Sequence, residues 1–238
     1  MVSKRNSKKI PRHIAIIPDG NRTWARKNNT SLEEAYEKGI RKIGDVAKWC
    51  RKHKIKMLTM WGFSTENFQR DRNEVEKLFS LFRKFLFEGL ERMDRETRKE
   101  KNEVKVRFFG RIELLPDEIQ RMIREVERRT EKNKPYQLNL LLAYGGQAEI
   151  VDGVNRAIRG GIRKVDEKVF LKFLPTGELP PVDLVIRTSG AKRLSGFMPW
   201  HTAYSEFYFC DTLWPDFSRR DFENALKEYA KRMRKFGR

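Results

Sequence analysis

Short apolar runs rich in β-branched residues alternate along this chain with longer stretches in which apolar residues return every three or four positions. The short runs are bounded by Gly, Pro, Ser or Asn and predict buried strands, whereas the longer period is typical of amphipathic helices. The predicted strands are His13–Ile17, Met57–Trp61, Val104–Phe109, Gln137–Leu142 and Asp183–Ile186. The predicted helices are Thr30–Trp49, Asn73–Lys99, Asp117–Glu131, Ala148–Arg159 and a final helix after Ser218.

The order of these elements predicts the fold class. Strands that are apolar on both faces and alternate with helices indicate an α/β fold with a mainly parallel central sheet flanked by helices. Two helix starts carry N-capping signals, Thr30 with Glu33 and Ser218 with Asp221. Ligands of parallel sheets bind beyond the carboxyl ends of the strands, so the segments that leave the strands are where functional side chains are expected.

Composition adds limits to this picture. The chain has 238 residues, 39% of them hydrophobic, which predicts a single domain over residues 1–238 with a basic, flexible segment at residues 1–11. It has two cysteines, no apolar leader after its basic start, and no apolar run near the roughly 20 residues of a membrane helix. We therefore expect a cytoplasmic protein that contacts membranes at most peripherally.

The charge of the chain points to anionic partners. Lys and Arg outnumber Asp and Glu by 52 to 33, a formal net charge of +19 that favours nucleic acid, acidic membrane lipid or phosphorylated metabolites. No nucleic-acid-binding module accompanies this charge, so nucleic acid is not expected as a partner. The sequence also lacks a dinucleotide-binding glycine motif, a Walker loop and the common zinc motifs.

The segment that leaves the first predicted strand is the first candidate for chemistry. Asp19 and Gly20 follow His13–Ile17 and open a helical segment, which places backbone N–H groups beside a carboxylate. This arrangement suits a magnesium-bound diphosphate. The alternative is a tight turn in which Asp19 is the N-cap of the helix.

The segment Gly62–Arg70 leaves the second strand with hydroxyls, an amide, a carboxylate and a cation between aromatic residues. Such a loop can flank an apolar substrate that carries a charged head. The alternative is a capped turn in which Phe63 and Phe68 simply pack into the core.

The segment Arg187–Ser195 follows the fifth strand with three cations, several hydroxyls and a glycine, a composition that suits phosphate oxygens, although a solvated basic loop is the alternative. Farther on, Glu206 lies in the aromatic stretch Trp200–Phe209, where a carboxylate requires a metal ion or an Arg partner. The longest helix carries an apolar stripe around Phe79, which indicates either core packing or the wall of a hydrocarbon tunnel.

Together these segments resemble the cis-prenyltransferases, the family of undecaprenyl and dehydrodolichyl diphosphate synthases. The matching stretches are HIAIIPDGNRTWA, LTMWGFSTENFQR, LNLLLAYGG, DLVIRTSGAKRLSGFMPWHTAYSEFYF and LWPDF, in family order. The resemblance implies a homodimer with a hydrophobic tunnel. It also implies Mg²⁺-dependent condensation of an allylic prenyl diphosphate with isopentenyl diphosphate, or a related isoprenoid acceptor, in the Z configuration.

The resemblance assigns roles to matching positions. It implies catalytic roles for Asp19, Ser64 and Asn67, substrate-binding roles for Gly20, Asn21, Arg22, Trp24, Phe63, Arg70, Arg187, Arg193 and Ser195, and metal binding by Asp19 and Glu206. Isoprenoid diphosphates are the implied substrates and Mg²⁺ the implied cofactor.

The chain departs from the family pattern mainly on the side that would bind the allylic diphosphate. Thr23, Leu32, Tyr36 and Gln147 stand where the family usually has Arg, Arg, His and a basic residue. We therefore keep two alternatives: an enzyme with an unusual acceptor or regiochemistry, and a non-catalytic partner subunit of a heteromer. The end of the chain, Lys235–Arg238, resembles the family's short tail that reaches the neighbouring subunit's diphosphates.

Overall fold

The computed structural model describes residues 10–95 and 103–232, with the side chains of residues 94 and 95 left out, and its centre is a six-stranded sheet. The strands are β1 (His13–Ile17), β2 (Met57–Trp61), β3 (Val104–Phe109), β4 (Tyr136–Leu141), β5 (Leu184–Arg187) and β6 (Glu206–Phe209). Their order is β3-β4-β2-β1-β5-β6, and every neighbouring pair is parallel. The predicted α/β class is confirmed.

Helices connect the strands on both faces of the sheet. They are α1 (Asn21–Lys27), α2 (Leu32–Lys52), α3 (Arg72–Arg95), α4 (Asp117–Thr130), α5 (Gly146–Arg159), α6 (Glu167–Leu171), α7 (Pro199–Thr202) and α8 (Arg219–Lys231). Within the part of the chain described, no helix is both long enough and apolar enough to cross a membrane. Most of the basic segment at residues 1–11, the predicted end of the long helix at Lys99 and the tail Lys235–Arg238 lie outside the described residues.

One predicted cap is confirmed and the other is wrong by one residue. The Ser218 hydroxyl accepts a hydrogen bond from the Asp221 backbone N–H, and the Asp221 carboxylate accepts one from the Ser218 backbone N–H. Helix α8 therefore starts with a capping box. At α2 the N-cap is Ser31, which has an extended backbone and accepts from the Glu34 N–H at 3.1 Å. The hydroxyl of Thr30 instead contacts the Glu34 carboxylate.

Strand β6 was not predicted. Its four residues are all half-buried, and the segment pairs only with β5, beside which Glu206 lies opposite Leu184 and Phe209 opposite Arg187. At the edge of a sheet the pairing partner decides strand formation, and the four residues are too few to show a clear alternation of apolar and polar positions.

The core lies on both faces of the sheet, as the residues of β1 show. Ile14 and Ile16 belong to a cluster under α2 and α8, whereas Ala15 and Ile17 belong to a second cluster on the opposite face. All four are at most 5% exposed. A third cluster packs α3 and α4 against β3, so helices cover the sheet where its strands are apolar.

A polar network runs through the middle of the sheet. His13 Nδ1 lies 3.0 Å from the Pro180 carbonyl oxygen and Nε2 lies 2.8 Å from the Thr59 hydroxyl, which Asn139 also contacts at 2.9 Å. Because a carbonyl can only accept, Nδ1 carries the proton and Nε2 accepts from Thr59. Burial of the ring lowers its pKa to about 4, so the imidazole is neutral at pH 7.

Because His13 is buried and neutral, we expect the stability of the fold to fall in acid. The unfolded chain binds the His13 proton near pH 6.5 but the folded chain only near pH 4, so the free energy of unfolding falls as pH drops through this window. The loss is on the order of 3 kcal/mol and is complete below pH 4. Urea unfolding of the wild type and of His13→Gln at pH 7.5, 5.5 and 4.5 measures this loss of unfolding free energy. The wild type should lose more stability than the variant, and equal losses would contradict the assignment.

Candidate active site

Two hydrogen bonds to Thr188, the residue that follows β5, hold Asp19 in place in the turn after β1. The Asp19 N–H donates to the Thr188 hydroxyl at 2.9 Å, and this hydroxyl donates to the Asp19 carbonyl at 2.7 Å. Gly20 has φ +106°, and a Cβ there would lie 2.8 Å from Leu213 Cδ2, so the turn requires glycine. Gly20 is also the N-cap of α1, which has no side-chain cap, so the alternative that Asp19 caps this helix is wrong.

Arg187, the last residue of β5, joins this turn to the loop that follows β5. Its Nη2 donates to Asp19 Oδ2 at 2.8 Å, while Nη1 donates to the Ser195 hydroxyl at 3.0 Å and to the Arg193 carbonyl at 2.5 Å. The side chain is only 5% exposed, and its Nε is buried without a hydrogen-bond partner. A buried donor of this kind is satisfied when a ligand supplies an acceptor.

The segment after β2 is a capped turn, and its geometry is also compatible with a loop that flanks a substrate. Residues Thr65–Gln69 form a short 3₁₀ helix, and Ser64 and Asn67 cap each other, with the Ser64 N–H 3.1 Å from Asn67 Oδ1. Phe63 is buried and meets Phe68 edge-on at 4.9 Å between ring centroids. The turn is therefore capped and anchored in the core, and this anchoring fixes the polar side chains at the end of β2.

Arg70 belongs to a charged cluster with α1, α2 and α3. Glu74 Oε1 accepts from the Tyr36 hydroxyl at 2.7 Å and from Arg70 Nη1 at 3.1 Å, and Glu74 Oε2 accepts from Arg22 Nη2 at 2.5 Å. Arg70 Nη1 also donates to the Tyr36 hydroxyl at 3.0 Å. Four segments thus meet at one carboxylate, which we call the Glu74 clasp: Arg22, Tyr36, Arg70 and Glu74.

These segments surround a cavity of about 390 Å³. Its polar end lies beyond the carboxyl ends of β1, β2 and β5, and its apolar part extends between α2, α3 and the sheet. The predicted residues that line it are Asp19, Asn21, Phe63, Ser64, Asn67, Arg70, Arg187 and Ser195. The apolar lining includes Ile40, Ile43, Leu78, Phe82, Phe85, Leu86, Phe108, Leu140 and Leu142. Part of the long helix's stripe therefore lines a cavity, and Val75 and Phe79 pack in the core.

Three predicted substrate-binding side chains lie outside this lining. Trp24 is only 6% exposed and packs with Ala25 and Ala35 in a small core cluster. Arg22 is exposed on α1 and reaches the site only through Glu74. Arg193 is exposed, and its backbone carbonyl is what contacts Arg187.

The structure does not bring the two predicted metal ligands together. Glu206 lies at the amino end of β6 beside Leu184, whereas Asp19 follows the carboxyl end of β1. Glu206 Oε2 instead accepts from Arg232 at 2.9 Å, the Arg partner that the sequence left as the alternative. Within one chain these two carboxylates cannot share an ion, because they lie at opposite ends of the sheet.

Asp19 by itself fits a magnesium ion that arrives with a diphosphate. In the part of the chain that the structure describes, it is the only carboxylate that lines the cavity, and its side chain is 38% exposed while Arg187 holds Oδ2. Mg²⁺ prefers one or two carboxylates together with substrate phosphate oxygens and water. The described part of the chain has no group of three or more His, Cys, Asp or Glu side chains placed to hold a metal ion.

Sequence reasoning did not single out Glu74, the carboxylate at which the clasp meets. It stands near the start of the predicted helix Asn73–Lys99, where an acidic residue is usual because it favours the helix N-terminus. Nothing local distinguishes it from Glu76. Its contacts with Arg22 and Tyr36 arise only when α1, α2 and α3 pack together.

Comparisons with known proteins identify the family of this chain. Residues 17–237 match the family model described as "Putative undecaprenyl diphosphate synthase". The chain is 44% identical over 239 residues to isoprenyl transferase of Thermus thermophilus, an alignment covering 96% of this chain and 89% of the relative. It is 41% identical over 234 residues, with the same coverages, to tritrans,polycis-undecaprenyl-diphosphate synthase (geranylgeranyl-diphosphate specific) of Thermoplasma acidophilum.

A solved structure shares the fold closely. The crystal structure of lavandulyl diphosphate synthase from Lavandula x intermedia, in complex with dimethylallyl diphosphate, matches with a TM-score of 0.89 and 32% sequence identity. The match covers 96% of this chain and 99% of that one. The sequence matches and the shared fold together show that the chain belongs to the undecaprenyl diphosphate synthase family of cis-prenyltransferases and is a prenyl-transferring enzyme.

Proposed function

We propose that this enzyme condenses an allylic prenyl diphosphate with isopentenyl diphosphate in the Z configuration and requires Mg²⁺. The observation that carries the proposal is a single cavity with a polar, charged end and an apolar part. Asp19, Arg187 and Ser195 provide a charged end, and an apolar space between α2 and α3 continues from it. A substrate with a diphosphate head and a hydrocarbon tail matches both parts.

The residues at the charged end have distinct proposed tasks. Breaking the allylic C–O bond builds negative charge on the departing diphosphate, and fixed N–H groups near Asn21 stabilise this charge most strongly as it develops. Mg²⁺ held by Asp19 would neutralise part of it as a Lewis acid. Arg187 and Ser195, with the exposed cation Arg193, bind the diphosphate of isopentenyl diphosphate.

Ser64 and Asn67 are proposed to orient the reacting ends of the substrates and to assist removal of a proton from isopentenyl diphosphate. Their mutual capping keeps both side chains fixed at the cavity edge. Because Asn67 Oδ1 is occupied by the Ser64 N–H at 3.1 Å, its amide nitrogen is the group left to contact substrate.

Two alternatives to this proposal arise because uncharged residues stand where the family usually has basic ones on the allylic side: Thr23, Leu32, Tyr36 and Gln147. One is an unusual acceptor or regiochemistry, in line with the 32% identity to an enzyme named for lavandulyl diphosphate and solved with dimethylallyl diphosphate. The other is a non-catalytic partner subunit, which the retained Asp19–Arg187 pair at 2.8 Å disfavours.

One assay tests all three. The purified protein is incubated with Mg²⁺ and labelled isopentenyl diphosphate together with dimethylallyl, geranyl, farnesyl or geranylgeranyl diphosphate, and with each allylic diphosphate alone. We expect Z-configured product from at least one pair and none after chelation of the metal. A product from an allylic diphosphate alone supports the unusual acceptor. No product from any combination contradicts the proposal and favours the partner subunit.

We further propose a homodimer that uses the outer face of α5. Val151, Val154 and Ile158 follow one another at helical spacing and are 55%, 43% and 65% exposed, which is unusual for large apolar side chains in a row. A second copy of the chain would cover this stripe. The predicted metal role of Glu206 also depends on a second copy, since Glu206 does not reach Asp19 in one chain.

Ile158→Glu tests the dimer. A charge within an apolar interface is expected to weaken association by at least about 100-fold, because the carboxylate loses its hydration on assembly. Sedimentation velocity at micromolar concentration should show a dimer for the wild type and a monomer for the variant. Ser80→Glu, which adds the same charge at an exposed position on α3, is the matched control. A monomeric wild type, or an Ile158→Glu variant that stays dimeric, would contradict this interface.

We also propose a cytoplasmic enzyme that contacts acidic membrane lipid peripherally, where a long polyprenyl product would leave; the net charge of +19 supports the lipid contact. Sedimentation with vesicles containing anionic lipid, but not with neutral vesicles, is the expected behaviour.

A further inference from the structure

The edge of the sheet at which the strands begin, opposite the candidate active site, is strongly basic. Helices α2 and α4 each return the chain from the carboxyl ends of the strands, so their last residues lie at this edge beside the starts of β1, β2 and β4. Exposed cations from these segments form a surface that we call the basic edge: Arg12, Arg51, Lys52, Lys54, Lys56, Lys132 and Lys134. The described residues beside them contribute three carboxylates, those of Glu103, Glu131 and Asp183.

Backbone pairing brings the central residues of the basic edge together. The Met57 N–H donates to the Arg12 carbonyl at 3.0 Å, and the Gln137 N–H donates to the Lys56 carbonyl at 2.9 Å. The strand registers continue this pairing and place Arg12, Lys56 and Tyr136 side by side. Because neighbouring strands lie about 4.8 Å apart, these three positions span only about 10 Å. The cations therefore form one compact patch.

Most of these charges have no ion-pair partner. Arg51 pairs with Glu103 at 3.1 Å, but none of the other six cations lies within 4.0 Å of a carboxylate among the described residues. The dipole of α2 accounts for cations in its last turn, such as Arg51 and Lys52. It does not account for Lys54 and Lys56, which lie beyond the helix. The basic edge thus keeps charge available for an anionic partner.

Apolar and aromatic side chains lie among the cations. The half-buried ring of Tyr136 has Lys56 Nζ 4.7 Å and Arg51 Cζ 5.9 Å from its centroid. Ile10, close to Arg12 in the sequence, is 49% exposed. Tyrosine is enriched where membrane headgroups meet hydrocarbon, because its body is apolar and its tip is polar. Basic charge with such neighbours is typical of a surface that meets acidic lipid.

The apolar part of the substrate cavity runs toward the basic edge. On α2 its lining extends from Tyr36 to Ile43, and Arg51 lies eight residues farther on, about 12 Å along a helix. On β4 its lining reaches back to Leu140, four residues after Tyr136, about 13 Å along a strand. A hydrocarbon tail that extended past this end of the cavity would therefore approach the basic edge.

We propose that the basic edge is a docking surface for a bilayer that contains anionic phospholipid. The enzyme then lies with the charged end of its cavity turned away from the bilayer and the apolar end turned toward it. The inference rests on the proposed function, since it names the surface for the lipid contact and the orientation of the hydrocarbon tail. Nucleic acid offers phosphates to the same cations but no apolar phase for Ile10 or for a tail.

The triple variant Lys54→Gln, Lys56→Gln, Lys134→Gln tests the surface. Its binding to vesicles of phosphatidylcholine and phosphatidylglycerol should weaken about 100-fold, because each lysine near an acidic membrane contributes a factor of about five. Its turnover without vesicles should equal that of the wild type, because the three residues lie at the opposite end of the sheet from the cavity's charged end.

The matched control removes the same charge elsewhere. Lys27→Gln, Lys77→Gln and Lys227→Gln together change three exposed lysines on α1, α3 and α8. Vesicle binding of this control should stay within about threefold of the wild type, since attraction to lipid phosphates falls off within a Debye length.

Hydrogen exchange locates the contact without relying on substitutions. In the wild type, anionic vesicles should slow amide exchange in residues 50–57 and 131–137, which include the basic edge, and should leave residues 188–195 unchanged. Vesicles of phosphatidylcholine alone should slow exchange in none of these segments. Slower exchange in residues 188–195 without a change in the other two would overturn the proposed orientation.

The remaining outcomes separate the inference from the proposed function. If the triple variant bound anionic vesicles as tightly as the wild type, the basic edge would not be the docking surface. Tighter wild-type binding to double-stranded or single-stranded oligonucleotides than to anionic vesicles at the same salt would overturn the choice of lipid. A wild type that binds no vesicles contradicts the inference and the lipid contact together. A wild type that docks through the basic edge but forms no prenyl product contradicts the proposed condensation alone.

Discussion

Asp19→Asn should lower kcat/KM for the condensation by at least about 1,000-fold while the protein keeps its fold. Asn has nearly the shape of Asp and keeps an oxygen that can accept the hydrogen bond from Arg187, so the turn after β1 stays in place. Among the described residues the variant loses the only carboxylate that lines the cavity, and with it the negative charge that would hold Mg²⁺. Steady-state kinetics over a range of Mg²⁺ concentrations, with thermal unfolding of each protein, provide the measurement.

Asp45→Asn is the matched control for this change. Asp45 lies on α2, and its nearest cations, Lys42 and Lys48, are 4.0 Å away, so removing its charge disturbs little. The control should keep wild-type kinetics. An Asp19→Asn variant that retains more than about a tenth of wild-type activity at saturating Mg²⁺ would show that Asp19 does not hold the metal.

Arg187→Met should have the second largest effect and should act on both binding and stability. The KM for isopentenyl diphosphate is expected to rise at least about 100-fold, because the side chain contributes a charged fork to the proposed diphosphate site. The free energy of unfolding should fall by about 1–3 kcal/mol, since the bonds to Asp19, Ser195 and the Arg193 carbonyl are lost together. The partial exposure of Asp19 keeps this loss below that of a fully buried ion pair.

Two companion variants separate charge from geometry. Arg187→Lys keeps the charge but cannot contact Asp19 and Ser195 at the same time, so an intermediate KM is expected. Arg163→Met removes an exposed cation far from β5 in the sequence and should leave kinetics and stability unchanged. If Arg187→Lys behaved like the wild type, the bidentate geometry would be unimportant and only the charge would matter.

The sequence by itself determined the sheet and the ends of its strands where the functional loops lie. Buried strands and amphipathic helices differ in period over only a few residues, so five of the six strands are recognisable locally. The polar segments at Asp19, Ser64 and Arg187 could be placed together because parallel strands present their carboxyl ends at one edge. This reasoning needs no knowledge of side-chain packing, and the cavity lining agrees with it.

Only the tertiary structure decided which of these side chains meet. The sequence could not separate Trp24, which packs in the core, from the residues that line the cavity, nor show that Glu206 binds Arg232 at the other end of the sheet. The Glu74 clasp joins residues 38 and 52 positions apart, from helices whose relative placement depends on the whole core. Hydrophobic periodicity specifies which face of an element is buried, but the partner of a charged side chain depends on distances that exist only after the elements have packed.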